Sequence, residues 1–255
     1  MTGAGAPRID VNCDIGEGYG RWQMPHDAAL IRTVTSVSVA AGFHAGDPGT
    51  IRATVRDAVE NGLDVGVHVA LPDMLGFGRR EMAVSACEVR DYCTYQIGAV
   101  QAFVAACGSR LTHVKPHGAL YAMTSRDVHL AGAIATAAAD AGVPRLFLLD
   151  DRFAGVADEH GVEVVTEGFP ELGYADDGTL VLERDKKPWE PAEVGARAVR
   201  MVTGQRVRSR SGRELKVSPR TLCVHSDADN ADRVARRVLA DLRSADVRVC
   251  SLSAP

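Results

Sequence analysis

Acidic, amide, imidazole and ammonium side chains recur at the ends of the predicted strands of this 255-residue chain, and such groups can together move protons or stabilise an anion. The first stretch carries Asp10, Asn12 and Asp14 on one face of an alternating strand, and Glu17 follows between two glycines. Three short hydrogen-bond acceptors in a row are unusual on a solvent-facing strand. The pattern therefore predicts a strand whose end points into a site, although a plain strand with an acidic turn would carry the same residues.

Histidines follow the next two strands. His44 precedes Asp47 and a proline at the start of a predicted helix, so Asp47 suits helix capping as well as chemistry. His44 itself could act as a base or as a metal ligand. His68 ends a run that is typical of a buried strand, where a lone histidine is often a core residue, but the loop after it favours a site.

That loop contains Asp73, Arg79 and Arg80, which we expect to contact substrate. Guanidinium groups suit a carboxylate or a phosphate because they bind such anions through two hydrogen bonds. A surface ion pair with Glu81 is the alternative for the two arginines.

Lys115 and His117 flank a proline at the end of the fourth predicted strand, where they could donate a proton or stabilise negative charge. His225 and Asp227 follow the last strand and are weaker candidates. The sequence has no phosphate-binding P-loop, no dinucleotide-binding glycine motif and no nucleophile elbow. No spacing indicates a metal site strongly, though a set of Asp14, His44 and His68 could bind a divalent metal ion.

Strands and helices alternate about seven times, which favours an α/β fold with parallel strands joined by helical crossovers. A closed barrel and an open doubly wound sheet both fit this alternation. We prefer the barrel, because polar residues close strand after strand and only a barrel would bring all of those strand ends to one mouth.

Composition excludes several function classes. A net charge of −4 argues against nucleic-acid binding, and no apolar run approaches the roughly 20 residues of a membrane span. Six scattered cysteines and the lack of a recognisable signal peptide indicate reduced thiols in a cytoplasmic protein. We expect one domain over residues 1–255, with an Arg-rich flexible loop or hairpin at 205–213.

The motifs stand in the order of the LamB/YcsF family, which the chain resembles over about residues 8–243. The matching stretches are 10–18, 42–48, 76–82, 113–121 and 223–225. The resemblance implies an irregular seven-stranded (β/α) barrel similar to sugar deacetylases of the glycoside hydrolase/deacetylase superfamily. It also implies the role of the A subunit of bacterial 5-oxoprolinase, which opens the lactam of 5-oxoproline to glutamate with ATP and requires subunits B and C.

Such a reaction needs cations around phosphate, a base for water and a proton donor to the ring nitrogen. As hypotheses, we assign the cations around phosphate to Lys115 with Arg79 and Arg80. The base for water is Asp14, Glu17 or His44. The proton donor to the ring nitrogen is His117 or His68. The side chains expected to bind substrate are Asp10, Asn12, Asp47, Asp73, Arg79, Arg80 and His225.

Several motifs depart from the family pattern next to strand ends. Ala41 stands where the family usually has cysteine, the stretch 169–174 lacks a usual arginine, and Ser226 replaces a glycine. These changes favour a divergent member and leave open another lactam or cyclic amide as substrate. The alternatives are a stand-alone metal-dependent amide or N-acetyl hydrolase and a non-catalytic subunit.

Overall fold

Seven parallel strands form a closed barrel in the computed structural model, which describes residues 6–181 and 188–254. The barrel closes because the last strand pairs with the first, so that Asp14 lies opposite His225. This confirms the predicted fold class. The barrel strands are β1 (Arg8–Ile15), β2 (Ser36–Ala40), β3 (Asp64–Val69), β4 (Val114–Pro116), β5 (Arg145–Leu148), β6 (Glu163–Gly168) and β7 (Thr221–His225).

The alternation of β1 decides which side chains enter the barrel. Every residue of β1 after Arg8 is buried, and the apolar set that includes Val11 and Ile15 belongs to the hydrophobic core. The polar set alternates with it and therefore projects to the opposite side, into the barrel interior. Asn12 accordingly reaches across to Glu167 on β6, with 2.9 Å between Nδ2 and Oε1.

Helices connect the strands and carry capping residues that the sequence makes recognisable. Ser85 and Glu88 form a reciprocal capping box at the start of the longest helix, and Asp127 caps another. The helices are α1 (Asp27–Ile31), α2 (Pro48–Glu60), α3 (Ala86–Ala106), α4 (Gly118–Thr124), α5 (Val128–Asp140), α6 (Ala154–Asp158), α7 (Pro191–Thr203) and α8 (Ala231–Ser244).

Two features differ from the expected elements. Strand β4 begins at Val114 rather than near residue 111, and α4 follows it although no helix is expected there. Proline and glycine on either side of His117 are typical of a loop, and they therefore argue against a helix at this point. Gly118 nevertheless starts the helix, with a positive φ of 50° that a glycine adopts readily.

Three short strand pairings lie outside the barrel in the part of the chain that the structure describes. In the Arg-rich stretch, Arg206–Arg208 pairs antiparallel with Glu214–Lys216, which is the hairpin alternative of the prediction. A second hairpin joins Gly173–Tyr174 to Leu180–Val181, and Arg248–Val249 pairs with the start of β1.

The single-domain prediction for 1–255 extends over residues 1–5, 182–187 and 255, which lie outside the described residues. Within the described ranges, no helix combines the length and the apolar character that crossing a bilayer requires.

Candidate active site

Lys115 lies at the centre of a buried polar cluster inside the barrel. Its Nζ atom lies 2.8 Å from both Asp14 Oδ1 and Glu167 Oε1. The ammonium also donates to Asn12 Oδ1 at 3.1 Å and lies 3.1 Å from Cys223 Sγ. Since the Lys115 side chain is only 2% exposed, carboxylates rather than water balance its charge.

The charges of this cluster hold one another ionised. Burial alone would raise the pKa of Asp14, but the adjacent His68 and Lys115 lower that pKa well below its usual value. Burial alone would likewise lower the pKa of Lys115, but Asp14 and further negative neighbours raise it well above its usual value. At neutral pH, Asp14 is therefore an anion and Lys115 a cation.

Glu17 and three histidines form a second cluster next to Asp14. His68 Nε2 lies 3.3 Å from Asp14 Oδ2, 4.0 Å from Glu17 Oε1 and 2.9 Å from His117 Nδ1. Glu17 Oε1 is also 3.5 Å from His117 Nδ1 and 3.0 Å from His44 Nε2. The rings of His44 and His117 stack, with centroids 3.8 Å apart and planes at 8°.

Backbone carbonyls fix the outer nitrogens of two of these histidines. His68 Nδ1 lies 3.1 Å from the Lys115 carbonyl oxygen, and His117 Nε2 lies 2.8 Å from that of Phe77. Because a carbonyl only accepts hydrogen bonds, both outer nitrogens carry a proton. Burial lowers the pKa of both His117 and His44 well below its usual value, and neighbouring histidines lower it further. Both rings are therefore neutral.

Two glycines let the loops after β3 and β4 approach each other around the histidines. Gly78 has φ +63°, and a Cβ there would lie 2.8 Å from His117 Cδ2 and 2.9 Å from His44 Cβ. A Cβ on Gly118 would lie 2.7 Å from the Gly78 carbonyl oxygen. The backbone N–H of His117 donates to Val69 at 2.8 Å, which fixes the end of β4 against β3.

Glu171 orients His225 at the end of β7. Its Oε2 atom accepts the backbone N–H of His225 at 3.1 Å and lies 2.7 Å from His225 Nδ1. A carboxylate oxygen accepts here, so Nδ1 is the donor, and the other ring nitrogen, Nε2, lies 3.8 Å from Cys223 Sγ. The Glu171 side chain is 2% exposed and His225 is 16% exposed, which leaves the imidazole accessible from the cavity.

A cavity of about 510 Å³ opens beside both clusters. Its polar lining includes Asp14, Glu17, His68, Lys115, His117 and His225. Its apolar lining includes Tyr121, Phe169, Leu172 and Leu180. The size and the mixture of apolar wall with convergent polar groups are typical of a small-molecule site.

Three arginines also line the cavity. Arg79 Nη2 lies 2.7 Å from Asp227 Oδ2, and Arg126 and Arg152 each pair with an acidic neighbour. Only Arg79 is largely buried, with 21% of its side chain exposed. These cations favour a substrate that carries an anionic group.

The structure brings most of the predicted catalytic residues together. Asp14, Glu17, His68, Lys115 and His117 all line the cavity, as do Arg79 and His225 from the predicted binding set. His44 contacts Glu17 but does not line the cavity. Asn12 does not line it either, and its side-chain oxygen accepts a hydrogen bond from Lys115.

Four predicted binding residues lie away from this cavity. Asp10 is four residues before Asp14, about 13 Å deeper along β1, and its carboxylate accepts hydrogen bonds from Thr35, Ser36 and Thr221. Asp47 caps α2. Asp73 and Arg80 pair with each other across a 3₁₀ turn. These contacts give each side chain a structural role, and none of the four lines the cavity, so their contact with substrate stays a prediction.

Sequence reasoning missed Glu167 and Glu171. Glu167 lies near the carboxyl end of β6. It is therefore a polar residue at a strand end, as Asp14 and Lys115 are, and the same pattern could have identified it. Glu171 lies in a stretch that departs from the family pattern and offered no such signal.

Two groups in the described part of the chain could hold a metal ion. In the group of Asp14, Cys223 and His225, the Lys115 ammonium already lies 2.8 Å from the carboxylate and 3.1 Å from the thiol. The second group comprises Glu17, His44, His68 and His117, whose ligand atoms lie within 4.8 Å of one another. The predicted set of Asp14, His44 and His68 is therefore divided between the two clusters.

Known proteins resemble the chain over nearly its whole length. The A subunit of 5-oxoprolinase from Streptomyces avermitilis is 42% identical over 249 residues, covering 96% of this chain and 100% of the relative. The crystal structure of the lactam utilization protein from Thermus thermophilus superposes with a TM-score of 0.87 at 41% identity, covering 96% of this chain and 100% of the other.

The barrel itself is shared more widely. A family 4 carbohydrate esterase from Streptomyces lividans has a TM-score of 0.50 at 11% identity, covering 98% of this chain and 95% of the esterase, which shows a likeness of fold alone. The sequence profile of the LamB/YcsF family matches residues 9–255. The resemblance inferred from the motifs is thus confirmed, and the chain belongs to the LamB/YcsF family.

Proposed function

We propose that this chain is the A subunit of a 5-oxoprolinase-type enzyme, which opens the lactam of 5-oxo-L-proline to L-glutamate with ATP. The observation that carries the proposal is the buried set of Asp14, Lys115, Glu17, His68 and His117 beside a cavity of about 510 Å³. Relatives that are named as the A subunit of 5-oxoprolinase support the choice of a lactam as substrate.

A lactam is a stabilised amide, so its opening benefits from coupling to ATP. In the proposed reaction, the γ-phosphoryl group is transferred to the lactam carbonyl oxygen and water adds to the carbonyl carbon. The carbon–nitrogen bond then breaks as the nitrogen takes a proton. A second water hydrolyses the resulting acyl phosphate, which gives glutamate and inorganic phosphate.

His225 fits the role of the base that takes the proton from water. Glu171 holds its tautomer so that Nε2 can accept a proton, and the same imidazolium can then protonate the departing nitrogen. The carboxylate of Asp14 fits less well, because Lys115 lowers its pKa and thus its basicity. His117 does not fit the proton donor, since its proton is committed to the Phe77 carbonyl.

Lys115 and Arg79 fit the electrostatic role. Lys115 lines the cavity with a permanent charge fixed by two carboxylates, where it can stabilise negative charge that develops on the carbonyl oxygen. Arg79 is the best-shielded arginine of the cavity and could pair with the substrate carboxylate or with a phosphate.

The test is release of glutamate and phosphate from 5-oxoproline and ATP. The purified chain is assayed alone, with subunits B and C of a relative, and with both but without ATP. We expect stoichiometric release of both products only when partners and ATP are present. No release with partners that are active beside their own A subunit would refute the proposal and leave a different substrate or a non-catalytic role.

A second candidate function is hydrolysis of a cyclic or N-acyl amide by this chain alone. The group of Glu17 and three histidines favours it, because such ligands could hold a divalent metal ion that replaces ATP as the activating agent. Turnover of a lactam or N-acetyl substrate without ATP, lost on treatment with a chelator, would select this candidate over the first.

A further inference from the structure

We propose that Glu17 Oε1, His68 Nε2 and His117 Nδ1 together bind one divalent transition-metal ion of the Zn²⁺ type, with His44 outside the coordination sphere. The site lies inside the catalytic centre proposed above, so its chemical role rests on that function. Metal binding itself needs no substrate and can be measured independently.

The distances between the three atoms fit a common ion. Three ligands at about 2.0–2.2 Å from a metal, with angles between octahedral and tetrahedral values, are separated by roughly 2.9–3.6 Å. The observed separations are 2.9 Å between the two histidine nitrogens, 3.5 Å from Glu17 to His117 and 4.0 Å from Glu17 to His68. A small movement of the Glu17 carboxylate closes the longest separation.

Each of the two histidine ligands also has an outer partner that fixes its ring. The Lys115 carbonyl accepts from His68 Nδ1 and the Phe77 carbonyl accepts from His117 Nε2, while His44 Nε2 lies 3.0 Å from Glu17 Oε1 itself. Such outer contacts fix the tautomer and orientation of metal ligands. They leave His68 Nε2 and His117 Nδ1 facing each other at 2.9 Å, a separation at which both nitrogens can bind one ion.

The stacking of the rings excludes His44 as a fourth ligand. The His44 and His117 planes differ by only 8°, and their centroids are 3.8 Å apart. Two stacked imidazoles direct their in-plane lone pairs side by side, so both cannot point at one ion. Glu17, His68 and His117 line the cavity whereas His44 does not, which leaves the open positions of the metal facing the substrate.

Charge supports the same assignment. Among the described residues of the two clusters, the carboxylates of Asp14, Glu17 and Glu167 face one ammonium, that of Lys115, and each carboxylate side chain is 6% exposed or less. A divalent cation would balance the remaining negative charge, and buried charges are retained when they are paired or bind metals.

Two neutral imidazoles and one carboxylate suit Zn²⁺ and similar ions, whereas Mg²⁺ and Ca²⁺ prefer oxygen ligands alone. When bound, such an ion would polarise the lactam carbonyl oxygen as a Lewis acid.

The test measures metal on the full-length chain without substrate. Protein stripped with a chelator is incubated with Zn²⁺, separated from free metal by gel filtration and subjected to elemental analysis. We expect about one ion per chain, as one ligand set implies, a higher melting temperature than the stripped protein, and a visible absorption band when Co²⁺ replaces Zn²⁺.

Variants locate the ion. Glu17→Gln and His117→Gln should lose most of the bound metal while their circular dichroism stays that of the stripped wild type, and His68→Gln is the substitute if either fails to fold. His225→Gln, which alters another cavity histidine, should still bind about one ion. His44→Gln should bind it roughly 10- to 100-fold more weakly, as loss of an outer partner does.

A wild-type chain that retains no Zn²⁺, or Glu17→Gln and His117→Gln variants that bind as tightly as wild type, would overturn the proposal. One bound ion without glutamate release would uphold the metal site and refute the lactam function. Glutamate release by a chain that binds no metal would do the opposite.

Discussion

Replacing Lys115 with methionine removes the only cation at the centre of the described buried cluster and keeps a side chain of similar length. Asp14 and Glu167 each lie 2.8 Å from Lys115 Nζ and are 6% and 0% exposed, so both would remain buried without this ammonium. Removing one partner of a buried ion pair typically costs about 3–5 kcal/mol. We therefore expect Lys115→Met to lower the free energy of unfolding by about that amount at neutral pH.

This loss should shrink as the pH falls. Without Lys115, the burial of Asp14 is opposed only by the remaining neighbours, His68 first among them, so the pKa of that carboxyl group in the folded variant lies above its value in folded wild type. The folded variant then binds a proton at a pH where folded wild type does not, so its stability relative to wild type recovers as the pH falls.

The assay is urea unfolding of wild type, Lys115→Met and a control at pH 7 and pH 5. The control is Lys216→Met, an exposed lysine of the Arg-rich hairpin, which should change stability by less than about 0.5 kcal/mol. A Lys115→Met variant as stable as wild type at pH 7, or a deficit that is the same at both values, would show that Lys115 does not offset the burial of these carboxylates.

Three further substitutions test other contacts. Glu171→Gln should lower kcat by about 10-fold or more with little change in KM, because the imidazole that it orients loses its negative partner; an unchanged kcat would exclude that role. Gly78→Ala should cost about 1–2 kcal/mol of stability through backbone strain and should also displace His117, so urea denaturation should show lower stability and turnover should fall. The control Gly62→Ala, at φ +71° in open space, should lower stability alone. Asp47→Ala should cost about 1 kcal/mol at pH 7 through loss of the α2 cap. Hydrogen bonds from the Thr50 side chain and a backbone N–H lower the pKa of Asp47 to about 2, so thermal melts should show this cost vanishing only as the pH falls through that value.

The barrel was predictable because its signals are local. Alternation in β1 separates Val11 and Ile15 from the polar set, and Asn61-Gly62 and similar stops mark helix ends. The same alternation does not show how far along the strand, relative to the open end of the barrel, a side chain lies. Asp10 and Asp14 share a face and residue type, yet only Asp14 reaches the cavity, because a period of two residues does not reveal where along the strand the barrel opens.

Contacts across the barrel were not predictable from one sequence. Asn12 and Glu167 are 155 residues apart in the chain and meet only because the sheet closes. Glu171 lies in an irregular stretch after β6, and its role depends on reaching His225. The acidic residues that proved to be caps, such as Asp47, share their residue types with catalytic groups, so composition alone could not separate the two roles.

The most direct test of the proposed function compares wild type with His225→Gln in the reconstituted reaction with subunits B and C, 5-oxoproline and ATP. His160→Gln, which changes an exposed histidine, serves as the matched control. We predict glutamate and phosphate in equal amounts for wild type and control, and turnover lower by roughly 100-fold or more for His225→Gln. Equal turnover by His225→Gln, or no glutamate from wild type beside active partners, would contradict this prediction.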